Sequence, residues 1–467
     1  MGGSRRVVHR RRAEYGRAAI PYRYAVASLL VVVVVAGGVF ALTGVFGGES
    51  AGEPTGDPAA PAETGVSFEP SGKLVGATET VDEYGIVHGK TTDGVQYLLW
   101  GRGSQSLQAD KVTLVAAGDQ IGSDQVLELT DGYGGTMGDG AYDFTPFYQE
   151  VAPFIQNFDL RFINQETVMA GTEQYGYSGY PSFNTPDAAA DAISATGFNM
   201  VNLATNHVLD YGVDLADRSL GVWDSHPQIM TAGSYRSQDE RETVRMIERN
   251  GMTFAFLAFC YGDNYYQQNL PNSWNLCGFD KAAIEADVKR AQQVADAVIV
   301  AMHWGTEYQS EPNDQQLDYA SFLADLDVDL VLGTHAHTVQ PVRFMQGASG
   351  NEIPVVFGLS DFISGWSKTD AILSGLFTCD FVRVQDDGAD AKSDHADDSG
   401  SWHVEVSNLA WHPTIEWSDG GEVYVRFLSD MDEQTTNANT RTPDVDNDYA
   451  YLRERMDAMG MEIPVIW

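Results

Sequence analysis

The chain has 467 residues, 43% hydrophobic and 20% charged, enough apolar material for one large domain or for two or three smaller ones. Its formal net charge of −38 comes from 28 basic and 66 acidic residues. So acidic a surface repels phosphate backbones and anionic head groups, which argues against nucleic-acid binding.

In chain order, residues 1–23 form a basic segment in which Arg5, Arg6, Arg10, Arg11, Arg12, Arg17 and Arg23 stand against a single acid, Glu14. Residues 24–46 carry no charge, and about 20 apolar residues at 1.5 Å each cross a bilayer core of roughly 30 Å. A transmembrane helix is expected there, with the arginines on the cytoplasmic side and the bulk of the chain extracytoplasmic. A cleaved signal peptide would need a small-residue cleavage site, and no Ala-x-Ala-like site is obvious near residues 44–50. The chain therefore reads as a single-pass protein of the cell membrane. Residues 47–65, rich in Gly, Pro, Ala, Glu and Thr, read as a solvated, disordered tether. Residues 66–110 form a small lead-in region with a strand near 95–100.

From residue 111 the pattern becomes alternating strands and helices. Short apolar runs at 112–117, 160–163, 198–204, 253–259, 297–302, 328–332 and 354–357 read as strands covered on both faces. Helices are expected near 281–295 and 315–326, and another beginning at Thr185-Pro186-Asp187, with Thr185 as its cap. This alternation predicts an α/β layered sheet core with flanking helices over 111–384. Residues 385–401 read as an acidic insertion, and 402–467 as strands and a helix completing the domain. Cys260 and Cys277 could pair across a loop or remain free, and spacing leaves both open.

Five segments place polar, ligand-type residues directly after a strand: Gly118-Asp119, Asn164-Gln165-Glu166, Thr205-Asn206-His207, His303-Trp304-Gly305 and Thr334-His335-Ala336-His337. In open α/β sheets ligands bind at the carboxyl ends of the strands, so these residues are expected to converge. Singly, each has a plainer explanation: Asp119 as a turn cap, His303 as a satisfied core histidine. Together they hold four of the ten histidines. His335 and His337, two apart on a segment expected to be extended, would project to one side. Carboxylates, an amide oxygen and imidazoles suit Mn, Fe or Zn, and paired divalent ions of that kind activate water toward phosphoryl groups.

The segments 115–121 (VAAGDQI), 162–169 (FINQETVM), 197–212 (GFNMVNLATNHVLDYG), 300–307 (VAMHWGTE) and 329–340 (DLVLGTHAHTVQ) resemble the bacterial capsule-synthesis CapA family, or poly-γ-glutamate synthesis proteins, over about residues 111–365. That family in turn resembles calcineurin-like metallophosphatases. The resemblance implies two divalent metal ions. Asp119 would be a ligand, Glu166 the bridging ligand, Asn206, His303 and His335 would bind one ion, His337 the other, and His207 would be the proton donor. It departs from the metallophosphatase pattern at Ile121, where Asp-x-His is usual, and from its own group at Asp361, where asparagine is more frequent. Asn164, Glu307 and Asp361 are expected at the substrate.

The implied function is a metallophosphoesterase-type hydrolase in capsule or envelope-polymer biosynthesis, acting on the polymer or its precursor beside other capsule-synthesis proteins. The competing reading is a non-catalytic assembly or export partner of an anionic-polymer synthase. A polysaccharide-binding module ranks last, because the aromatic content is ordinary.

Overall fold

The computed structural model describes residues 72–266, 269–385, 395–397, 400–441 and 449–467. The expected transmembrane helix and tether, and most of the acidic insertion, lie outside these. Among the described residues no helix is long and apolar enough to cross a membrane.

Three short strands open the described chain: β1 (Thr78–Val81), β2 (Val87–Lys90) and β3 (Gln96–Trp100). The long β4 (Lys111–Gln120) is followed by β5 (Leu160–Gln165), β6 (Met200–Asn202) and β7 (Met230–Ala232). Next come β8 (Val244–Arg249), β9 (Met252–Cys260), β10 (Ala297–His303) and β11 (Leu330–Thr334). The remainder are β12 (Val339–Gln346), β13 (Glu352–Leu359), β14 (Asp361–Ile363), β15 (Leu373–Gln385), β16 (His395–Asp397), β17 (Gly400–Trp417) and β18 (Tyr424–Phe427).

They form two nine-stranded sheets. The first runs β1-β2-β3-β8-β9-β10-β11-β13-β12, and the second β16-β17-β15-β4-β5-β6-β7, with β14 on β4 and β18 on β17. The lead-in strands thus extend the edge of the first sheet: β3 pairs in parallel with β8. Each sheet has a parallel centre, β9-β10-β11-β13 in the first and β4-β5-β6-β7 in the second.

The sheets pack face to face, because alternate residues of β4, β5, β9, β10 and β11 are apolar on the side away from the helices. Phe162 of β5 meets Phe256 of β9 edge-on with ring centroids 5.8 Å apart, and Phe254 meets Phe381 at 5.0 Å. Burying each such ring contributes about 1.5–3 kcal/mol. Helices Lys281–Gln292 and Asp314–Asp325 cover the outer face of the first sheet through Ile284, Val288, Ala320 and Leu323. Helices Ala188–Thr196 and Val213–Asp224 cover the second through Ile193, Leu220 and Trp223. The result is a four-layer α/β sandwich, a mixed sheet core with flanking helices.

One local expectation needs correction, and the question left open at the cysteines is answered. Helix Ala188–Thr196 starts with Asp187 at its cap position and no side-chain cap bond. The Asp187 carboxylate instead accepts from Arg218, and the Thr185 hydroxyl lies 2.6 Å from that of Thr167, so neither is available to cap. Cys260, Cys277 and Cys379 are all free and buried. Backbone pairing brings Cys260 and Cys277 together (N to O 2.8 Å) without joining their sulfurs.

Candidate metal centre

Register builds the site. In the second sheet Asp361 of β14 pairs with Asp119 of β4, Asp119 with Asn164 of β5, and Asn164 with Asn202 of β6. One rung across four parallel strands therefore carries four polar side chains. Across the sandwich, a second rung carries Cys260, His303 and Thr334 on β9, β10 and β11. Gly118 allows the close approach of β4 to β14, since a Cβ there would stand 1.9 Å from the Ser360 carbonyl oxygen. The backbone N–H of His335 donates to Asp119 Oδ2 at 3.0 Å and ties the two sheets together at the site.

All the expected ligands lie in one buried cluster. Potential donor atoms of three groups lie within 4.8 Å of one another: Asp119, Glu166 and His303; Glu166, His335 and His337; Asp119, His337 and Asp361. Asn206 joins them, its Oδ1 2.8 Å from His303 Nε2, while His303 Nδ1 lies 2.8 Å from Thr334 Oγ1. That outer contact orients the ring so that Nε2 faces the cluster. His335 and His337 do not lie on an extended segment: β11 ends at Thr334, and the two histidines have φ of 88° and 52°. Left-handed backbone is costly for such residues. It is held here by the His335 N–H bond to Asp119 and by the Tyr308 N–H bond to the Ala336 carbonyl at 2.7 Å. The rings still converge, with centroids 5.8 Å apart.

The electrostatics are those of a site short of positive charge. Burial pushes the Glu166 carboxyl well above its usual range, with Asp119 and Asp361 adding to the rise and His337 opposing it. Burial likewise raises Asp361, against the pull of His337. Burial and the neighbouring imidazoles hold His303 and His335 well below the ordinary histidine value. Burial opposes charge on His337 too, yet Asp361 and Glu166 overcome it and hold that imidazole well above its usual value. Glu166 Oε2, His335 Nδ1 and Asp361 Oδ2 are buried without a hydrogen-bond partner. Orphaned buried polar atoms of both donor types, oxygen and nitrogen, aimed into one cluster fit divalent cations.

The three residues implied as substrate contacts lie in different places. Asn164 donates to Asp119 Oδ1 at 2.7 Å and accepts from Asn202 Nδ2 at 2.7 Å, so its amide is engaged in orienting Asp119. Asp361 is likewise within the cluster, its Oδ1 2.7 Å from His337 Nδ1. Of the three expected substrate contacts only Glu307 lines the adjoining cleft, about 370 Å³ in volume, together with His207, Asp210, Asn206 and Asn264. His207 Nδ1 lies 2.8 Å from Asp210 Oδ2, and its ring sits edge-on to Phe183 at 4.6 Å.

Several residues at the site escape the sequence reading. Asn202 stands one rung beyond Asn164, and Asp210 is three residues after His207. Tyr261 follows β9 and packs its ring 4.6 Å from that of His335. The spacing His207-x-x-Asp210 is a detectable local signal. Asn202 and Tyr261 carry none, since only register and packing place them.

The fold and the cluster define an α/β sandwich protein with a buried constellation of carboxylate and imidazole groups that could hold metal at the meeting ends of its parallel strands. The model of the bacterial capsule synthesis protein PGA_cap family matches residues 113–366, more than half of the chain, and the chain belongs to that family. It is 25% identical over 225 residues to the PGA biosynthesis protein CapA of Bacillus subtilis, a match covering 48% of this chain and 58% of that protein. The capsule biosynthesis protein CapA of Bacillus anthracis is 23% identical over 272 residues, 56% of this chain and 62% of that protein. A probable polyglutamine synthesis accessory protein of Mycobacterium tuberculosis is 24% identical over 221 residues, 44% and 56% of the two chains. The chain thus spans less than two thirds of the length of these relatives. Among solved structures, TT1561 of Thermus thermophilus superposes with TM-score 0.32 at 14% identity, over 57% of this chain and 93% of that one. GAP50, the anchor in the inner membrane complex of Plasmodium, gives 0.34 at 12% identity, over 77% and 97%.

Proposed function

We propose that this protein is a membrane-anchored, extracytoplasmic hydrolase of the metallophosphoesterase type that serves synthesis of a capsule or envelope polymer of the poly-γ-glutamate kind. The observation that carries the chemical part is the buried donor cluster with three orphaned atoms, Glu166 Oε2, His335 Nδ1 and Asp361 Oδ2, beside a cleft that holds His207. Asp119, Glu166, Asn206, His303, His335 and His337 would hold two divalent ions of Mn, Fe or Zn. Such ions, when bound, polarise a phosphoryl oxygen and make water a nucleophile near neutral pH.

The chain's own residues supply the rest. Asn202 and Asn164 hold the Asp119 carboxylate in place through two successive 2.7 Å bonds. His207 presents its ring to the cleft, with Asp210 fixing Nδ1 at 2.8 Å, so that Nε2 is the atom placed to protonate a leaving oxygen. Phe183 at the ring edge limits water on that side of the imidazole. The polymer part of the proposal is supported by family membership and by the names of the Bacillus relatives. The anchor is supported by the uncharged run at 24–46 behind seven arginines.

The metal-loaded full chain should hydrolyse p-nitrophenyl phosphate or bis-p-nitrophenyl phosphate, and His207→Ala should lose turnover while keeping its metal. The competing reading, a non-catalytic partner of an anionic-polymer synthase, is favoured by the similarity to the mycobacterial protein, a probable polyglutamine synthesis accessory protein. A strain lacking the protein decides between them. Restoration of surface polymer by the His207→Ala form would defeat the catalytic reading.

A further inference from the structure

The two rungs that meet at the cluster carry different chemistry. The rung on the first sheet brings nitrogen: His303 on β10, with His335 just past the end of β11 and its ring 4.8 Å from that of His303. The rung on the second sheet brings oxygen: Asp361 and Asp119 side by side on β14 and β4. Asp119 belongs both to the donor group containing His303 and to the group formed with His337 and Asp361.

Asp361 has the marks of a ligand rather than of a substrate contact. It is fully buried and does not line the adjoining cleft. Its Oδ1 lies 2.7 Å from His337 Nδ1, and its Oδ2 has no hydrogen-bond partner. The neighbouring Ser364 hydroxyl, which also lies against the Asp361 carboxyl, donates to Glu416 Oε1 at 3.1 Å. Ser360, with φ of 66°, turns the chain out of β13 and directs Asp361 onto the β4 register. A carboxylate held there by backbone pairing, with one oxygen free and two other potential ligands within 4.8 Å, has little use except to bind a cation.

We propose that Asp361 is itself a metal ligand, closing with Asp119 and His337 a carboxylate-rich position next to the imidazole-rich position of His303, His335 and Asn206. The two positions are then chemically unequal. Hard, oxygen-seeking Mn²⁺ suits the first, and Zn²⁺ or Fe²⁺ the second. Two dications among the three carboxylates Asp119, Glu166 and Asp361 leave one net positive charge to meet an anionic substrate.

The inference rests on the metal-centre reading above, and the experiment separates the two. The full chain is stripped with chelator, titrated with MnCl2 by calorimetry, and its bound ions are counted by elemental analysis after gel filtration. Wild type should hold two ions. In Asp361→Asn the amide oxygen can still accept from His337 Nδ1, so ring orientation survives while the anionic ligand is gone. The second ion should bind at least roughly tenfold more weakly, or be lost, with the first unchanged. Two ions bound as tightly as in wild type would mean that Asp361 only orients His337, and would overturn the inference while leaving the metal centre standing. A wild type that takes up one ion overturns the inference, and one that takes up none sinks the metal reading as well. If Asp361→Asn does not fold, Asp361→Cys answers the same question by changing donor softness. Cd²⁺ should then give a thiolate-to-metal ultraviolet absorption that wild type, with its three buried thiols, does not show, and absence of that band overturns the inference.

Discussion

Removing metal should loosen the whole molecule by a calculable amount. Each buried polar atom left without a partner costs about 1–3 kcal/mol, and the cluster contains three, Glu166 Oε2, His335 Nδ1 and Asp361 Oδ2. Bound ions satisfy them. An ion present at a hundredfold excess over its Kd adds about 2.7 kcal/mol to stability, so two add about 5 kcal/mol, a large share of the 5–15 kcal/mol typical of a folded domain. At about 2 °C per kcal/mol the melting temperature should fall on the order of 10 °C when chelator replaces manganese. Protons take part in the exchange. In the ion-free site His337 and Glu166 are both held well above their ordinary values, so each holds a proton more tightly than a free side chain does, and an ion competes with it. Uptake therefore releases protons, and affinity rises with pH. The sign for stability follows. The charged pairing of His337 with its carboxylates stabilises the stripped protein fully below the ordinary histidine pKa and is lost as pH climbs through the raised one. The gap in melting temperature between loaded and stripped protein should thus widen as pH rises above the ordinary histidine value of about 6.5. Scanning calorimetry measures the gap, and titration calorimetry in two buffers of different ionisation enthalpy measures the protons. Identical melting curves with and without chelator, together with no proton release, would refute the reasoning.

Loss of the His207 imidazole should lower phosphoester turnover by about 10²–10⁴-fold with metal content unchanged, read by steady-state kinetics and elemental analysis. Asp210→Asn, which removes the carboxylate charge beside His207 Nδ1, should cost about 10–100-fold in the same kinetics. Gly118→Ala sets a Cβ 1.9 Å from the Ser360 carbonyl and 3.0 Å from that of Leu359, both backbone. Strands β4 and β14 must part, and several kcal/mol of stability and the bound metal should be lost together, as a thermal melt with metal analysis would show. Burial pushes the Asp329 carboxyl up to about 7, so its folded-state preference for a proton stabilises at acid pH and is lost as pH rises through that value. A rise of about three pH units corresponds to ~4 kcal/mol. The side chain is only partly shielded from solvent, so about 1–2 kcal/mol is the expected scale. Asp329→Asn, which keeps an acceptor for the Val298 N–H at 2.7 Å, should raise the melting temperature at pH 8 and leave it unchanged near pH 4.

The apolar runs by themselves located the central strands. The expected 112–117, 160–163 and 297–302 lie within β4, β5 and β10, because a strand covered on both faces must be apolar throughout. The ligand-type residues were visible as candidates, since each follows such a run closely: Asp119, Glu166, His303 and His335 stood out by residue type and position, and the family resemblance implied their roles. Helix starts were less legible. Thr185 has the form of a cap, yet it bonds Thr167, and a local pattern cannot show a competing partner 18 residues away. His335 and His337 were visible as a pair, but the left-handed backbone that aims them was not, because it is held by Asp119 from 216 residues away. Only the tertiary structure could decide which polar residues share a rung. Asn202 behind Asn164, and Asp361 beside Asp119, are placed by strand register, and the β14–β4 pairing joins stretches about 240 residues apart. Hydrophobic alternation tells a strand which face to bury; it does not say which neighbour it will pair with, and that pairing turned scattered side chains into one cluster.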